Sequence, residues 1–294
     1  MRPLADHVAA FERHRPRLLG LAYRMLGLRA DAEDVVQEAF VRWAAVEGDA
    51  PRSAGAFLTR LVTNLSIDEL RSARRRRETY VGPWLPEPIE TGPDGDPAYR
   101  AEHADSLSMA FLRLLEQLSP PERAVFLLRE VFGLGYPEVA EAVGVTVVNC
   151  RQIARRARER LRESGVPRFD TTREEQDDLL SRFALAASVG DLDGLKATLS
   201  ETVAMYADGG GKVTAAGRPL HGPAEVAAFL AGLQKRYSQG LSGYRWTRIN
   251  GEPGLVFEAD GRPSYVWSFH IEGGRIAGIY AVGNPDKLGG LGRP

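Results

Sequence analysis

Apolar residues in the first 80 positions recur every three or four residues, the spacing that places them on one face of an α-helix. The pattern predicts three helices: one that ends at Gly27, one from about Asp31 to Val46, and one from about Ala54 to Arg74. Gly27 suits the position directly after a helix, because glycine adopts a left-handed backbone at little cost. Residues 1–80 are therefore expected to form a helical domain.

A proline-rich segment follows and breaks the helical pattern. Residues 81–104 are expected to be a linker, because the prolines and glycines at its start exclude regular structure. A solvated spacer is one interpretation of the acidic residues in its first part, residues 81–99, which are Glu87, Glu90, Asp94 and Asp96. Trp84 and Leu85 form an apolar pair with no reason to lie in solvent, and we expect this pair to dock on another part of the chain.

A second set of helices is predicted over residues 105–166. Ser119, followed by two prolines and Glu122, is a strong helix start. The serine serves as N-cap, a proline fits the first turn, and the glutamate reaches back to the cap.

Residues 136–162 fit a helix-turn-helix, the most specific motif of the chain. Ala140 is small enough for the second helix to cross closely, and Gly144 four residues later permits a left-handed turn. Thr146 is placed to cap the second helix, and Cys150 is placed to pack in the core. The alternative is a basic helix that packs in a bundle with its charges in solvent.

The second helix of this motif is expected to present hydrogen-bond donors to DNA. Its outward face carries amides and arginines, which suit base edges and phosphates. The expected DNA contacts are Thr146, Val147, Asn149, Arg151, Gln152, Arg155 and Arg156. Arg158 is a further donor on this face, and Val147 and Val148 are alternatively packing residues.

Residues 167–294 change to a mixed pattern. An amphipathic helix that ends at Gly190 precedes a short helix to about Leu199, a strand near Val203–Ala207 and a helix at Pro223–Leu233. Four alternating strands follow, separated by the turn dipeptides Asn250-Gly251, Asp260-Gly261 and Gly273-Gly274. Helices followed by an antiparallel meander predict a compact α+β domain.

Composition and charge narrow the class of protein. No apolar run approaches the roughly 20 residues that cross a membrane. The charged N-terminus lacks the apolar core of a signal peptide. We therefore expect a cytoplasmic protein with no membrane partner. Cys150 is the one cysteine, which excludes an internal disulfide and a zinc cluster. The formal net charge is −1, but arginines cluster in residues 71–77 and 151–162, and such local patches bind phosphates.

Two of these segments resemble a known family. Asp31–Trp43 and Phe57–Arg71 resemble region 2 of the extracytoplasmic-function sigma factors, and residues 119–162 resemble region 4 of the same family. The motif sets lie in the family's order with a proline-rich linker between them. The resemblance implies a transcription initiation factor. Its partners would be core RNA polymerase, through the β′ clamp and the β flap, and promoter DNA, as a −35 duplex and a −10 single strand.

The resemblance also implies which residues bind these partners. The polymerase clamp would be contacted by Asp34, Gln37, Glu38, Phe40, Arg42 and Trp43. The −10 single strand would be held by Arg60, Asn64, Arg71, Arg74 and Arg75. The −35 duplex would be read by the helix-turn-helix face described above. For Phe40 and Trp43 a place in the core is the alternative. Asp68 fits an N–H or arginine partner inside the protein better than a DNA contact.

The family's linker runs through the polymerase active cleft. An acidic segment in that cleft would imitate RNA. Imitation of RNA is therefore a second interpretation of the acidic residues 87–96, beside that of a solvated spacer.

The C-terminal residues 167–294 resemble the SnoaL-like domain, a cone-shaped α+β fold related to ketosteroid isomerases and polyketide cyclases. One sigma subgroup carries this extension, which there replaces a separate anti-sigma factor and tunes activity within the same chain. The subgroup's three motifs appear here as Trp84-Leu85-Pro86-Glu87-Pro88, Asp208-Gly209-Gly210-Gly211-Lys212 and Asn284-Pro285-Asp286-Lys287-Leu288. We expect the first motif to dock near one of the other two.

Cones of this kind often contain a pocket, so an unidentified small molecule is a candidate partner. The candidate lining residues are Tyr206, Asp208, Trp246, Tyr265, Trp267, His270 and Tyr280. A structural role is commoner for a strand histidine such as His270, and no second carboxylate is identifiable as a general base. We therefore expect no catalytic residue, no cofactor and no metal. Two alternatives are a one-component regulator whose cone binds a small molecule, and an isomerase- or cyclase-like enzyme with a DNA-binding appendage.

Overall fold

The computed structural model describes residues 4–46, 53–91, 107–163, 171–237 and 242–291, with the backbone alone at 4, 74–76 and 234–237. The chain divides into two compact units. Unit 1 is formed by the described parts of residues 1–79 and 112–166, and unit 2 by those of residues 80–96, 107–111 and 167–294. These boundaries differ from the expected ones, because residues 80–91 and 107–111 pack with the C-terminal residues.

Unit 1 begins with three helices: α1 (Leu4–Leu26), α2 (Arg29–Ala44) and α3 (Ala54–Arg77). They match the predicted helices, and each packs against the other two. Gly27 follows α1 with a φ of 75° and donates its N–H to the Tyr23 carbonyl. Their shared core includes Leu19, Ala22, Met25, Val36, Trp43, Leu58, Val62 and Leu70.

Four further helices are α4 (Met109–Leu115), α5 (Pro120–Phe126), α6 (Tyr136–Val143) and α7 (Val147–Glu163), and a π-helical turn at Leu127–Val131 continues α5. The predicted capping box is present, since the Ser119 N–H donates to the Glu122 carboxylate at 2.9 Å. Both α3 and α7 pack against α5 and α6, so the two predicted helical domains share one unit.

A buried charge network joins α3 to α5. The Glu116 carboxylate accepts hydrogen bonds from Arg77 at 2.6 Å and from Arg123 at 2.5 Å. Arg77 also donates to the Leu26 carbonyl, and Arg123 to that of Arg24. Burial raises the pKa of Glu116, but the charges of Arg123 and Arg77 outweigh burial and hold that pKa below its usual value.

Unit 2 is a layer of helices on one face of a six-stranded sheet. The helices are α8 (Arg173–Val189), α9 (Leu192–Thr198) and α10 (Gly222–Tyr237). The strands are β1 (Leu199–Asp208), β2 (Leu220–His221), β3 (Gly243–Ile249), β4 (Glu252–Ala259), β5 (Arg262–Glu272) and β6 (Arg275–Val282). The strand order is β2-β1-β6-β5-β4-β3, and β1 and β6 pair in parallel while the other neighbours are antiparallel. The predicted α+β class is confirmed, and the predicted meander corresponds to β3–β6.

The sheet of unit 2 has two apolar faces. The first packs against the helices through Phe183, Leu195, Leu230, Phe269 and Ile279. The second brings together Leu85, Met109, Ile249, Val256, Val266, Val282, Leu288 and Leu291. The second face is therefore covered by segments from the linker, from α4 and from the C-terminus.

Residues 80–91 pack on this second face and along the edge strand β3. Leu85 and Ile89 are buried. The Ile89 N–H donates to the Asn250 side chain at 2.9 Å, and the Asn250 N–H donates to the Ile89 carbonyl at 2.8 Å. A bridge between Glu90 and Ile249 extends the sheet. The interpretation of a solvated spacer is therefore wrong for these residues.

The acidic residues of this segment are bound to the protein instead of facing solvent. Glu87 is buried, and the Glu90 carboxylate accepts hydrogen bonds from Arg245 at 2.8 Å and from Thr247 at 2.6 Å. Because both side chains are enclosed by the protein in this arrangement, neither carboxylate is available to imitate RNA. The other two acidic residues, Asp94 and Asp96, lie outside the described residues.

Neither a membrane span nor a metal cluster is found in the described ranges. No helix there is long and apolar enough to cross a membrane. No group of three or more histidine, cysteine, aspartate or glutamate side chains is arranged there to hold a metal ion.

The variant Glu116→Gln should lower the free energy of unfolding of unit 1 by about 3 kcal/mol, because Arg123 is then buried without its anionic partner. Urea unfolding followed by the helical circular dichroism signal measures the loss. Glu33→Gln is the matched control, since Glu33 meets Arg29 on the exposed surface of α2, where such a pair contributes less than about 1 kcal/mol.

The lowered pKa of Glu116 also predicts that the stability difference between the wild type and Glu116→Gln depends on pH. The folded pKa of Glu116 lies below its usual 4.5, so its contribution to stability is present above pH 4.5 and is lost as the pH falls through the folded pKa. The difference between wild type and Glu116→Gln should therefore shrink as the pH falls below 4.5. A difference that stays the same from neutral pH down to the acid unfolding of the wild type would contradict the assignment.

Candidate functional site

Helices α6 and α7 form the predicted helix-turn-helix. Gly144 follows α6 with a φ of 75°, and the N–H groups of Gly144 and Val145 donate to the Ala140 carbonyl, both at 2.9 Å. Ala140 and Cys150 are buried. Cys150 is thus a core residue, as its position predicts.

The outward face of α7 carries most of the expected DNA contacts. The exposed ones are Thr146, Asn149, Arg151, Gln152, Arg155 and Arg156, and Val147 is half-buried. Thr146 caps the helix, since its hydroxyl accepts the Asn149 N–H at 3.2 Å. Val148 is 66% exposed and therefore belongs to the surface. Val148 lies three residues before Arg151 and four before Gln152, a helical spacing that places it on the same face as these two residues. Its exposure was therefore predictable from the sequence.

Two of the arginines at the end of α7 are held by the protein. Arg158 donates to the Tyr136 hydroxyl at 3.1 Å and lies 3.7 Å from the Glu130 carboxylate. Arg160 pairs with Glu122 at 2.8 Å. Arg158, expected as a DNA donor, is therefore better described as a support of the helix-turn-helix.

Helix α2 presents an acidic and amide face. Asp34, Gln37, Glu38 and Arg42 are exposed, and Glu38 pairs with Arg42 at 2.8 Å. Val41, which is not among the expected polymerase contacts, is 54% exposed beside them. This face holds four of the six expected polymerase contacts.

The aromatic residues of α2 divide between core and surface. Trp43 is 1% exposed, its indole N–H donates to the His7 carbonyl at 3.0 Å, and its ring meets that of Phe57. The expectation that Trp43 contacts polymerase is therefore wrong, because the shared core of the first three helices encloses the ring. Phe40 is half-buried against Phe11, with ring centroids 4.9 Å apart.

Helix α3 has a polar face with the predicted spacing. Arg60, Asn64, Asp68 and Arg71 are all exposed. Asp68 does pair with an arginine, Arg71, at 3.1 Å, but the pair lies at the surface and not inside the protein. The side chains of Arg74 and Arg75, also expected at the −10 strand, lie outside the described residues.

The three short motifs of the C-terminal resemblance meet at the carboxylate of Asp208. It accepts hydrogen bonds from the Tyr80 hydroxyl at 2.5 Å, the Leu85 N–H at 2.8 Å and the Lys287 ammonium at 2.7 Å. Lys287 also donates to the Leu85 carbonyl at 2.5 Å, and the Asn284 amide donates to the Tyr80 hydroxyl at 2.8 Å. We call these five residues the latch. The side chains of Asp208 and Lys287 are 0% and 4% exposed, so the ion pair is buried.

The remaining motif residues surround the latch. The Lys287 ammonium lies 4.3 Å from the centre of the Trp84 ring, and Lys212 pairs with Asp286 at the surface at 2.6 Å. Gly210 has a φ of 59°, and a Cβ there would lie 2.4 Å from Asn284, so the turn requires glycine. Among the other motif residues, Pro86 and Leu288 are buried, and Pro285 begins a 3-10 turn. Gly209 and Gly211 flank Gly210.

Tyr80 is a latch residue that lies outside the three short motifs. Burial raises the pKa of its hydroxyl, and the neighbouring Asp208 carboxylate raises it further. The phenol is thus a stable hydrogen-bond donor to Asp208. No local pattern marks Tyr80, because its partner lies 128 residues away in the sequence.

A cavity of about 450 Å³ lies on the helix-covered side of the sheet. Of the predicted lining residues, it includes Asp208, Trp246, Tyr265 and Trp267. The prediction is wrong for Tyr206, His270 and Tyr280, which do not line it. Side chains alternate along a strand, so Tyr206, His270 and Tyr280 point to the opposite face from Met205, Phe269 and Ala281.

His270 pairs with a buried carboxylate, that of Glu252. Its Nδ1 lies 2.8 Å from the Glu252 carboxylate, and both side chains are 7% exposed. Burial raises the pKa of Glu252, although His270 opposes this effect. Because neither residue lines the cavity, the pair supports the structural role expected for His270.

Comparison with known proteins identifies the family of the two helical regions. Models of sigma-70 region 2 and sigma-70 region 4 match residues 10–76 and 108–161. The class defined by this pair of regions is that of sigma-70-type transcription initiation factors.

Similarity to individual proteins extends through the C-terminal domain. The chain is 35% identical to the ECF RNA polymerase sigma factor SigJ of Mycobacterium tuberculosis over 96% of this chain and 93% of that protein. It is 33% identical to the probable ECF sigma factor SigI of the same organism, over 95% and 94%. The crystal structure of Mycobacterium tuberculosis SigJ aligns with a TM-score of 0.77 at 33% identity, covering 96% of this chain and 98% of that chain. This chain therefore belongs to the ECF RNA polymerase sigma factors, as its sequence motifs predict.

The variant Asp208→Asn should open the latch, because it leaves the Lys287 ammonium buried without its counter-charge. Loss of a buried partner costs about 3 kcal/mol, which corresponds to roughly hundredfold faster amide exchange in residues 80–91. Hydrogen–deuterium exchange of the full chain, read by mass spectrometry, measures this rate.

Asp286→Asn is the matched control for this experiment. It makes the same change opposite another lysine, Lys212, but at the surface, with both side chains more than half exposed. Its exchange in residues 80–91 should equal that of the wild type. Equal exchange in the two variants would contradict the latch.

Proposed function

We propose that this sigma factor directs core RNA polymerase to specific promoters through three exposed helical faces. The α2 face contacts the β′ clamp, the α3 face grips the −10 single strand, and the α7 face reads the −35 duplex while its domain binds the β flap. The observation that carries the proposal is that all three faces are exposed, in the family's order, on one helical unit.

Each face has the chemistry that its partner needs. The acidic and amide residues Asp34, Gln37 and Glu38 suit a basic protein partner. Asn64 and the arginines of α3 supply the charge and donors that track a single strand. On α7, Arg151 and Gln152 are of the residue types that form bidentate contacts with guanine and adenine.

We further infer that the C-terminal domain controls activity within the chain. The latch and the edge of β3 hold residues 80–91, the segment that in the family runs through the polymerase cleft. A linker that is held in this way is not available to polymerase. The C-terminal domain thus competes with polymerase for the linker.

The proposal assigns the protein no catalysis. Asp208 is the one charged residue among the described residues that line the cavity, and its carboxylate is occupied by the latch. A small molecule in this cavity remains a candidate partner. The protein would act where its polymerase is, in the cytoplasm.

Run-off transcription tests the proposal. Full-length chain added to core polymerase should produce promoter-specific transcripts. Failure to bind core polymerase, together with binding of duplex DNA alone, would favour a one-component regulator and overturn the proposal.

The −35 contacts predict the effect of single substitutions. Arg151→Ala and Arg155→Ala should each lower run-off output at least about fivefold, since a bidentate base contact is worth about 1–3 kcal/mol and a phosphate contact adds to affinity. The matched control is Arg182→Ala, which removes an exposed arginine from α8 in unit 2. An output that falls equally in all three variants would contradict the assignment of the α7 face.

The latch predicts a change in the opposite direction. Asp208→Asn should raise run-off output severalfold, because the released linker becomes available to polymerase. Asp286→Asn should leave the output unchanged. Unchanged or lower output with Asp208→Asn, in a chain that still folds by circular dichroism, would contradict control through the latch.

A further inference from the structure

The cavity of unit 2 has the size and lining of a ligand site. Its volume of about 450 Å³ falls within the roughly 300–1,000 Å³ typical of small-molecule pockets. Its walls come from α8, α10 and the helix-covered side of the sheet. The rings in these walls are Phe183, Phe229, Tyr244, Trp246, Phe257, Tyr265 and Trp267. Tyr244 and Trp246 are 65% and 42% exposed, so they stand at the open edge.

The lining excludes a charged ligand. Among the described lining residues no side chain is cationic, and Asp208 is the one anionic residue. Its carboxylate already accepts four hydrogen bonds, from Tyr80, Leu85, Gly210 and Lys287. A buried charge on the ligand would therefore find no partner, which is costly. A neutral apolar molecule matches these walls.

The cavity and the latch share the same two strand ends. Ala207 of β1 and Ala281 of β6 are register partners, and both line the cavity. The residue that follows Ala207 is the latch carboxylate Asp208, whose carbonyl accepts the Gly283 N–H at 2.8 Å and the Asn284 N–H at 3.0 Å. A ligand packed against the two alanines therefore touches the backbone that positions the latch.

The ring of Tyr265 adds a second connection. It packs so closely on Gly283 that a Cβ there would lie 2.3 Å from it, and its hydroxyl donates to the Thr214 carbonyl at 3.2 Å. Both Tyr265 and Gly283 line the cavity. A ligand that holds the Tyr265 ring in place therefore also restrains Gly283, the residue before Asn284 of the latch.

We propose that this cavity binds an uncharged, largely apolar small molecule and that its occupancy strengthens the latch. Filling the cavity restrains the ends of β1 and β6, so the linker is released less often. Binding is independent of the sigma activity, whereas the regulatory consequence, reduced transcription, rests on the proposed function.

Two fluorescent probes with the same naphthylamine skeleton test the ligand class. N-phenyl-1-naphthylamine is neutral, and 1-anilinonaphthalene-8-sulfonate carries a sulfonate. Titration of the full chain should show saturable 1:1 binding of the neutral probe, at least tenfold tighter than that of the anionic probe. Absence of saturable binding, or equal or tighter binding of the sulfonate, would overturn the proposal.

Substitutions in α8 locate the bound probe. Ala187→Phe projects a ring into the cavity and should weaken binding of the neutral probe at least tenfold. Leu185→Phe is the matched control, since Leu185 is 68% exposed on the same helix and does not line the cavity. If circular dichroism shows that Ala187→Phe is unfolded, Ala184→Leu takes its place as the milder block. Equal binding by the blocked and control variants would place the probe elsewhere.

Hydrogen–deuterium exchange tests the coupling. Saturating N-phenyl-1-naphthylamine should slow exchange in residues 80–91 at least threefold in the wild-type chain and leave it unchanged in Ala187→Phe. Saturated binding without slower exchange would overturn the coupling. Probe binding in a chain that fails to direct run-off transcription would overturn the proposed function and leave the site standing, so the two failures are distinguishable.

Discussion

The arrangement of unit 2 depends on one buried carboxylate, that of Asp208. A charge removed from water costs several kcal/mol unless partners surround it. Here the partners come from three places that are remote in sequence: the linker, the turn after β1 and the turn after β6. The linker cannot leave without removing donors from Asp208, and the C-terminal turn cannot shift without moving Lys287. The ion pair therefore ties the two segments to the end of β1 and to each other.

Unit 1 uses the same physical device in a different place. Glu116 is held between Arg77 and Arg123, and Arg123 is fully buried. Apolar packing is tolerant of the exact partner, whereas a buried carboxylate requires cationic groups or hydrogen-bond donors at hydrogen-bond distance. We interpret both networks as devices for specificity: Glu116 selects the packing of α3 on α5, and Asp208 selects the docking of the linker.

Local features of the fold were predictable, because their causes are local. The left-handed glycines after α1 and α6 and the capping box at Ser119 each depend on neighbours within four residues. The exposed faces of α2, α3 and α7 follow from helical spacing in the same way. Trp43 was not predictable, since the same spacing fits a surface aromatic and a core one, and only the packing of α1 and α3 decides between them.

The linker shows what sequence patterns leave out. Prolines and acidic residues indicate a segment without helix or internal sheet, but they do not show that it pairs with another strand. Its contacts, such as that of Glu90 with Arg245, join residues 155 positions apart. The same prolines restrict the backbone before docking, so ordering the segment costs less conformational entropy than ordering a glycine-rich one. In the regulation that we propose, this pre-extended segment lies either along the edge strand β3 or in the polymerase cleft, and it can occupy only one of them at a time. In the same proposal the free energy of the latch is the threshold that polymerase must exceed, and a ligand that restrains the ends of β1 and β6 raises that threshold through contacts within unit 2 alone.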